Sequence, residues 1–247
     1  MKTVALIPIK LDSQRLPHKN ILPLAGHPLC YHIAHTLLAV KGVDDVYVYC
    51  SNEKVCDYLP EGTVFMRRDK GLDADTVKGF EIYRSFINKV DADVYVLAHT
   101  TSPFIKQSSV ENALAHVLAG ENDSAFSAER VQTFSWYKGK PLNYELEDVP
   151  RTQDVEPVWV ETSAFYIFRK EVFTRYGRRI GFKPYVQEVY GMEAVDIDER
   201  QDYEMACLMY EASISCDSQS GVQRGGVTDC NTTNYSVYTV PTWKVAA

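Results

Sequence analysis

The feature that most narrows the fold is a rhythm in the first half of the chain. Short, unbroken apolar runs alternate with segments whose apolar residues recur at helical spacing. "TVALIPI" (3–9), "DVYVYCS" (45–51), "TVFMR" (63–67), "DVYVLAH" (93–99) and "DSAFSAE" (123–129) read as strands. Runs without polar alternation suit strands covered on both faces, as in a parallel sheet. Between them, Ile33, Leu37 and Val40 make one helical stripe within 27–40. Phe80, Tyr83, Phe86, Ile87 and Val90 make another within 74–90, and Val110, Leu114 and Val117 a third within 108–119. The chain has 247 residues, enough for one large domain or one domain with an appendage. Strand–helix alternation predicts an α/β, Rossmann-like, mostly parallel sheet with helices on both faces and right-handed crossovers.

From about 131 to 160 the pattern changes to tryptophans, prolines and short alternating segments, as in "FSWYKGKPLNYELEDVP" (134–150). An inserted antiparallel arm is expected there, and a dimer contact is one use for it. "SAFYIF" (163–168) resumes the sheet, "KEVFTRY" (170–176) is a short helix, and "AVDID" (194–198) is expected as a brief strand before a closing helix at 200–212. Residues 215–247 are rich in Ser, Gly, Asn and Thr and read as a polar, loosely attached tail of unassigned role. The expected catalytic domain is therefore 1–214.

Formal net charge is −7, which argues against a nucleic-acid partner, since that wants a basic surface. The six cysteines show no CxxC spacing and read as reduced thiols. With no apolar run near the length of a membrane span and no signal-peptide pattern, a cytoplasmic protein without a membrane partner is expected.

In this acidic chain the turn after the first strand is a cationic exception. Lys10, Arg15 and Lys19 follow "TVALIPI", with Ser13 as a hydroxyl donor and Pro17 as a stiffener. Ligands of open α/β sheets sit at the carboxyl ends of the strands, where such a turn lies. Charge-assisted hydrogen bonds from it would suit a triphosphate. The plainer alternative is a solvated basic loop. The turn is neither a Walker A motif nor GxGxxG.

A second candidate is Asp196 and Asp198 in "VDID". On a strand, a spacing of two puts both side chains on one face. Adjacent carboxylates repel unless they share a cation, and Mg²⁺ uses one or two carboxylates together with substrate phosphates. Solvated acids at a strand end are the common alternative, and Asp-x-Asp recurs at 73–75 and 91–93.

"IPIKLDSQRLPHKNILPLAGHPL" (7–29) resembles the opening signature of the acylneuraminate cytidylyltransferase family, which includes CMP-sialic acid synthetases. Ile7, Pro8, Ser13, Pro17, Lys19, Asn20, Gly26, Pro28 and Leu29 carry the match, and Lys10 stands where the family usually has Arg. "RDKGLDADT" (68–76), "LAHTTSPF" (97–104) and "DIDERQDYEMA" (196–206) are similar to three further family segments, in order. The resemblance covers about 1–212. It implies a nucleotide-diphospho-sugar transferase-like fold and an enzyme, a CTP-dependent nucleotidyltransferase. Such an enzyme transfers CMP to a small acidic acceptor and releases pyrophosphate, for capsule or lipopolysaccharide synthesis. The acceptor it implies is a sialic-acid-like nonulosonate or a phosphate-bearing compound. The partners implied are CTP, that acceptor and a second copy of the chain in a homodimer.

By the same resemblance, Lys10, Leu11, Asp12, Ser13, Arg15, Lys19, Asn20, Arg68, Asp75 and Thr76 would bind nucleotide. Mg²⁺ would sit on Asp196 and Asp198, which with Lys19 would be catalytic. His99, Thr101, Ser102, Arg151, Gln153 and Glu161 would face the acceptor. His99 and Thr100 replace the family's Gln-Pro, and residues 140–168 look closest to a capsule and lipopolysaccharide subgroup. Some of its members resemble CTP:phosphoglutamine cytidylyltransferases of phosphoramidate assembly. Two rivals remain at this point: a metal-dependent glycosyltransferase that uses Asp-x-Asp, and a non-catalytic nucleotide-binding protein on the same fold. His32 and His35 share a helix face, but no carboxylate or cysteine nearby completes a metal set, so they read as partly exposed helix residues.

Overall fold

The computed structural model of the chain describes residues 1–219. Strand β1 (Thr3–Pro8) opens into a long turn containing a 3-10 segment, Lys19–Ile21. A tiny hairpin, β2 (Pro23–Leu24) and β3 (His27–Pro28), leads to helix α1 (Leu29–Ala39). Next come β4 (Asp45–Cys50), β5 (Val64–Arg67), α2 (Gly79–Ile87), β6 (Val94–Ala98), α3 (Gln107–Leu118) and β7 (Ser124–Val131). Two short strands, β8 (Trp136–Tyr137) and β9 (Lys140–Pro141), precede the long β10 (Val158–Arg169). The order closes with α4 (Lys170–Tyr176), β11 (Pro184–Glu188) and α5 (Arg200–Gln219).

The main sheet has seven strands in the order β11-β7-β10-β6-β1-β4-β5. Strand β10 runs antiparallel to both its neighbours, and the remaining pairs are parallel. This is the mostly parallel Rossmann-like α/β fold expected. The central strands explain the unbroken apolar runs. Ala5 and Ile7 of β1 pack with Ile33 and Leu37 of α1 and Val110 and Leu114 of α3. Val4 and Leu6 point the other way, toward Phe86 of α2 and Val172 and Phe173 of α4. With both faces buried, no polar alternation survives. Residues Met1–Glu211 form one compact unit. Among the described residues, no helix is long and apolar enough to cross a membrane.

Four expectations need correction. Helix α2 begins at Gly79, because residues 74–78 are held in a turn; the Lys78 N–H donates to Glu81 Oε1 at 3.1 Å and starts the helix there. Strand β11, "PYVQE", has no counterpart among the expected strands; it is a short edge strand with mixed polarity. The Asp-x-Asp segment is not a strand. It is an extended link between a 3-10 turn (Gly191–Ala194) and α5, tied to the body by Ile197 N–H donating to Thr101 O at 2.8 Å. Helix α5 runs to Gln219 instead of ending near Ala212, and most of the expected tail lies outside the described residues.

Within 131–160, β8 and β9 pair antiparallel. The outer half of β10 pairs with the end of β7, from Val158↔Val131 to Glu161↔Ala128, before a bulge between Glu161 and Tyr166. Ser163 sits in that bulge with a left-handed φ of 59°.

Candidate active site

The turn after β1 is folded in on itself. Asn20 Nδ2 donates to Lys10 O at 2.6 Å, and the Thr100 hydroxyl donates to Asn20 Oδ1. Leu16 is buried and Leu11 packs against the core, so the turn is anchored by apolar residues at two points. Lys19 and Asn20 are both buried, while Asp12 and Arg15 are exposed. His18, at φ 57°, turns the chain into the 3-10 segment that carries Lys19 inward.

Lys19 meets the Asp-x-Asp segment. Its Nζ lies 2.9 Å from Asp198 Oδ1, and an Arg15 guanidinium nitrogen lies 2.7 Å from Asp198 Oδ2. Asp202, at the start of α5, accepts the N–H groups of Asp198 and Glu199 at 2.9 and 2.7 Å, which fixes this link. Partial burial would raise the Asp198 pKa, but Lys19 and then Arg15 outweigh it and hold the carboxyl below its ordinary value. Asp196 behaves oppositely. Much of the residue's surface is open, yet its carboxyl is crowded enough that desolvation raises its pKa. A Thr101 hydrogen bond partly offsets this, and the Asp198 charge adds to it. One carboxylate has taken two cations and its neighbour is short of positive charge. That donor set fits a divalent cation, which would relieve the deficit and fill its remaining positions with phosphate and water.

On the far side of the turn, Lys10 Nζ pairs with Asp75 Oδ1 at 2.8 Å, and Gln14 donates to the same carboxylate. A cleft of about 490 Å³ lies between Ser13 and Gln14 on one wall and Lys70 to Asp75 on the other. A second cleft of about 320 Å³ continues inward from Lys10 and Asp75 to Arg68, Tyr83 and His99. Arg68 is 3 % exposed; it donates to Asp73 Oδ1 at 2.5 Å and to Tyr49 O at 3.3 Å. Its Nε has no partner among the described residues. Thr76 lies in the exposed turn beside Asp75.

His99 directly follows β6 at the inner cleft. Its Nδ1 lies 2.6 Å from the Ser163 carbonyl, which can only accept, so Nδ1 carries the proton. In the neutral ring Nε2 is then an acceptor, and the Tyr83 hydroxyl lies 3.3 Å away. Burial, outweighing the Ser163 hydrogen bond, lowers the His99 pKa, with Arg179 and Lys19 adding to the effect. Around it, Tyr166 donates to Glu161 Oε2 at 2.7 Å, and Arg179 donates to the Tyr166 oxygen at 2.9 Å while lying 3.7 Å from that ring's centre. Arg179 and Glu161 are 3.8 Å apart.

The sequence-derived acceptor residues therefore divide. His99 and Glu161 share one cluster, and Thr101 touches both the Asp-x-Asp link and Asp196. Ser102 is fully buried, and its hydroxyl has no partner among the described residues. Arg151 spends its guanidinium on Asp154 at 2.6 Å, and Gln153 offers its carbonyl to Gln132; both contacts stay within residues 131–160. Sequence reasoning misses Tyr83, Tyr166, Arg179 and Asp202. The only sequence cue for Arg179 is an arginine pair between glycines, "GRRIG", which is silent about the tyrosine beneath it.

A mostly parallel sheet whose cationic turn after β1 meets a carboxylate pair before α5 defines an α/β protein of the Rossmann-like class. The chain belongs to the cytidylyltransferase family: the family profile described as "Cytidylyltransferase" matches residues 4–219. An N-acylneuraminate cytidylyltransferase of Streptococcus agalactiae is 24% identical over 216 residues, covering 82% of this chain and 52% of its own. A pseudaminic acid cytidylyltransferase of Campylobacter jejuni is 22% identical over 230 residues, covering 86% and 98%. The chain spans about half the length of the first of these relatives. Among solved structures, CMP:2-keto-3-deoxy-manno-octonic acid synthetase complexed with CTP is similar in fold. Its TM-score is 0.67 at 18% identity, covering 86% of this chain and all of that one.

Proposed function

We propose that the chain transfers CMP from CTP to a small acidic acceptor, a sugar acid of the sialic or octulosonic kind, and releases pyrophosphate. The observation that carries this reading is the direct pairing of Lys19 and Arg15, from the turn after β1, with Asp198 of the carboxylate pair. Had the turn and the carboxylates opened onto different surfaces, no single nucleotide could touch both. Relatives named for this chemistry support it.

In this reading the triphosphate lies along residues 10–20 and its oxygens replace Asp198 as partners of Arg15. Lys10 leaves Asp75 for phosphate, and Arg68, Asp75 and Thr76 frame the nucleoside. The acceptor oxygen attacks the α-phosphorus and pyrophosphate leaves, a displacement that depends on alignment and charge neutralisation. Asp196 and Asp198 would hold Mg²⁺, which supplies Lewis-acid polarisation of phosphate oxygens when bound. Lys19 stays by the Asp198 carboxylate and faces the α-phosphate. His99, Thr101 and Glu161 line the acceptor side, with Arg151 and Gln153 approaching from the arm, while Ser102, fully buried, does not reach it.

Residues 1–214 act as the catalytic domain of a cytoplasmic homodimer. Exposed Trp136, Tyr137, Leu142, Leu146 and Trp159 of 131–160 supply the apolar contact between copies.

Pyrophosphate release tests the reading. N-acetylneuraminate, 3-deoxy-manno-octulosonate, pseudaminate and phosphoglutamine would be offered with CTP, ATP or GTP and Mg²⁺. Release with CTP and a sugar acid is expected. Release with phosphoglutamine alone would move the acceptor to the phosphate class, and no release with any of them would reject the reading.

A further inference from the structure

We propose that His99 is the general base that takes the proton from the acceptor hydroxyl as it attacks CTP. The inference rests on the cytidylyl-transfer reading and adds to it a residue with a defined atom and direction of proton movement.

Three structural facts converge on Nε2. The Ser163 carbonyl, 2.6 Å from Nδ1, fixes the tautomer and leaves the lone pair on Nε2. The backbone is specialised for that contact: Ser163 stands at φ 59° in the bulge of β10, and its carbonyl faces the end of β6. His99 also lines the inner cleft together with Pro8, Lys10 and Arg68, so the ring borders the space next to the cationic turn. The present neighbour of Nε2 is the Tyr83 hydroxyl at 3.3 Å, longer than a well-formed O–H···N bond. An acceptor hydroxyl can compete for that lone pair.

The charged and titratable groups facing the ring agree with a neutral resting state. Arg179 and Lys19 disfavour a positive imidazole, Asp198 favours one, and Tyr83 and Tyr166 face the ring, with Glu161 held behind the Tyr166 hydroxyl. Burial is the largest influence and also favours the neutral ring. A base must be unprotonated before it can act, and these influences favour the unprotonated ring.

The step balances. The acceptor O–H proton passes to Nε2, giving an imidazolium that keeps its Nδ1–H bond to Ser163. The oxygen forms a bond to the α-phosphorus, and the bond from that phosphorus to its bridging oxygen breaks with the electron pair leaving on pyrophosphate. The imidazolium then returns its proton to solvent. A phosphate acceptor is largely dianionic at neutral pH and presents an oxygen that needs no deprotonation, so the device suits a hydroxyl acceptor.

Two substitutions separate proton transfer from position. His99→Asn retains a donor for the Ser163 carbonyl but has no atom at the place of Nε2, whereas His99→Gln puts a non-basic amide group there. With N-acetylneuraminate or 3-deoxy-manno-octulosonate as acceptor, His99→Gln is expected to lower kcat by about 10²–10⁴-fold. KM for CTP should be little changed, and the acid limb of kcat/KM should be lost. His99→Asn should show the same loss while binding CTP like the wild type. Nitrogen-15 NMR of the unliganded protein should show one neutral Nδ1–H tautomer at pH 7. Wild-type kcat and an intact acid limb in His99→Gln, or a ring protonated at Nε2, overturns the proposal. If no acceptor is turned over by the wild type, the cytidylyl-transfer reading itself fails, whereas a working enzyme indifferent to His99→Gln rejects only the base.

Discussion

Lys19 Nζ lies 2.9 Å from Asp198 Oδ1, so one ion pair joins residues 179 positions apart. The Lys19 side chain is 10% exposed and Asp198 34%. A buried ammonium that loses its counter-charge is costly, so the contact holds the fold together as well as shaping the site. Asp198→Asn is expected to stop pyrophosphate release and to lower unfolding free energy by about 1–3 kcal/mol. Urea unfolding and a release assay check both, and wild-type turnover in this variant would remove the role assigned to Asp198.

Asp196→Asn should lose turnover equally but not stability. The Asp196 carboxyl is held above its ordinary value, first by desolvation, so the folded protein takes up a proton more readily than the unfolded chain. Its ionised form therefore opposes folding at neutral pH, and that penalty disappears as pH falls below the unfolded value. Asp198 has the reverse sign. Its depressed folded pKa contributes stability above the unfolded value, and this is lost as pH falls through the folded one. At pH 7 the Tm of Asp196→Asn should equal or exceed the wild type's; a clear drop would contradict the repulsion described.

Arg15 offers a contrast with Lys19. Its side chain is 63% exposed, and exposed ion pairs add little to stability. Arg15→Ala should unfold like the wild type yet raise the KM for CTP about tenfold, the size of one lost charge-assisted hydrogen bond. Steady-state kinetics against CTP read the second effect, and an unchanged KM would place the triphosphate elsewhere.

The Arg179 guanidinium sits over the Tyr166 ring, 3.7 Å from its centre, and donates to the Tyr166 oxygen, a combination that lysine does not reproduce. Arg179→Lys is expected to raise the acceptor's KM several-fold and leave that of CTP unchanged. Equal effects on both would mean that Arg179 supports the whole cleft.

Particular residues explain how far the sequence could be read. Val4, Leu6, Ala5 and Ile7 alternate between two buried layers, so β1 shows as an unbroken apolar run. In contrast, β11 has only Tyr185 and Val186 as sheet-forming apolar residues, and an edge strand needs no more. Spacing alone draws the Asp196–Asp198 link as a strand. In the structure the pair is set by Asp202 on the next helix and by the Thr101 carbonyl, contacts that leave no periodic trace. The loop cations are legible because three charges in one turn of an acidic chain stand out. Tyr83, Tyr166 and Arg179 are not, because each looks in sequence like an ordinary core or surface residue. The pairing of β10 with β6 brings Tyr166 beside His99, while Tyr83 comes from α2 and Arg179 from the segment after α4.

The central claim is that the turn after β1 and the Asp196–Asp198 pair grip one polyphosphate together. Calorimetric titration of CTP into the wild type, Lys19→Ala and Asp196→Asn, each with Mg²⁺ and with EDTA, measures this directly. The account predicts binding that is strengthened by Mg²⁺ in the wild type, weakened in Lys19→Ala, and indifferent to Mg²⁺ in Asp196→Asn. CTP binding of equal strength in all three proteins, with and without the metal, would contradict it.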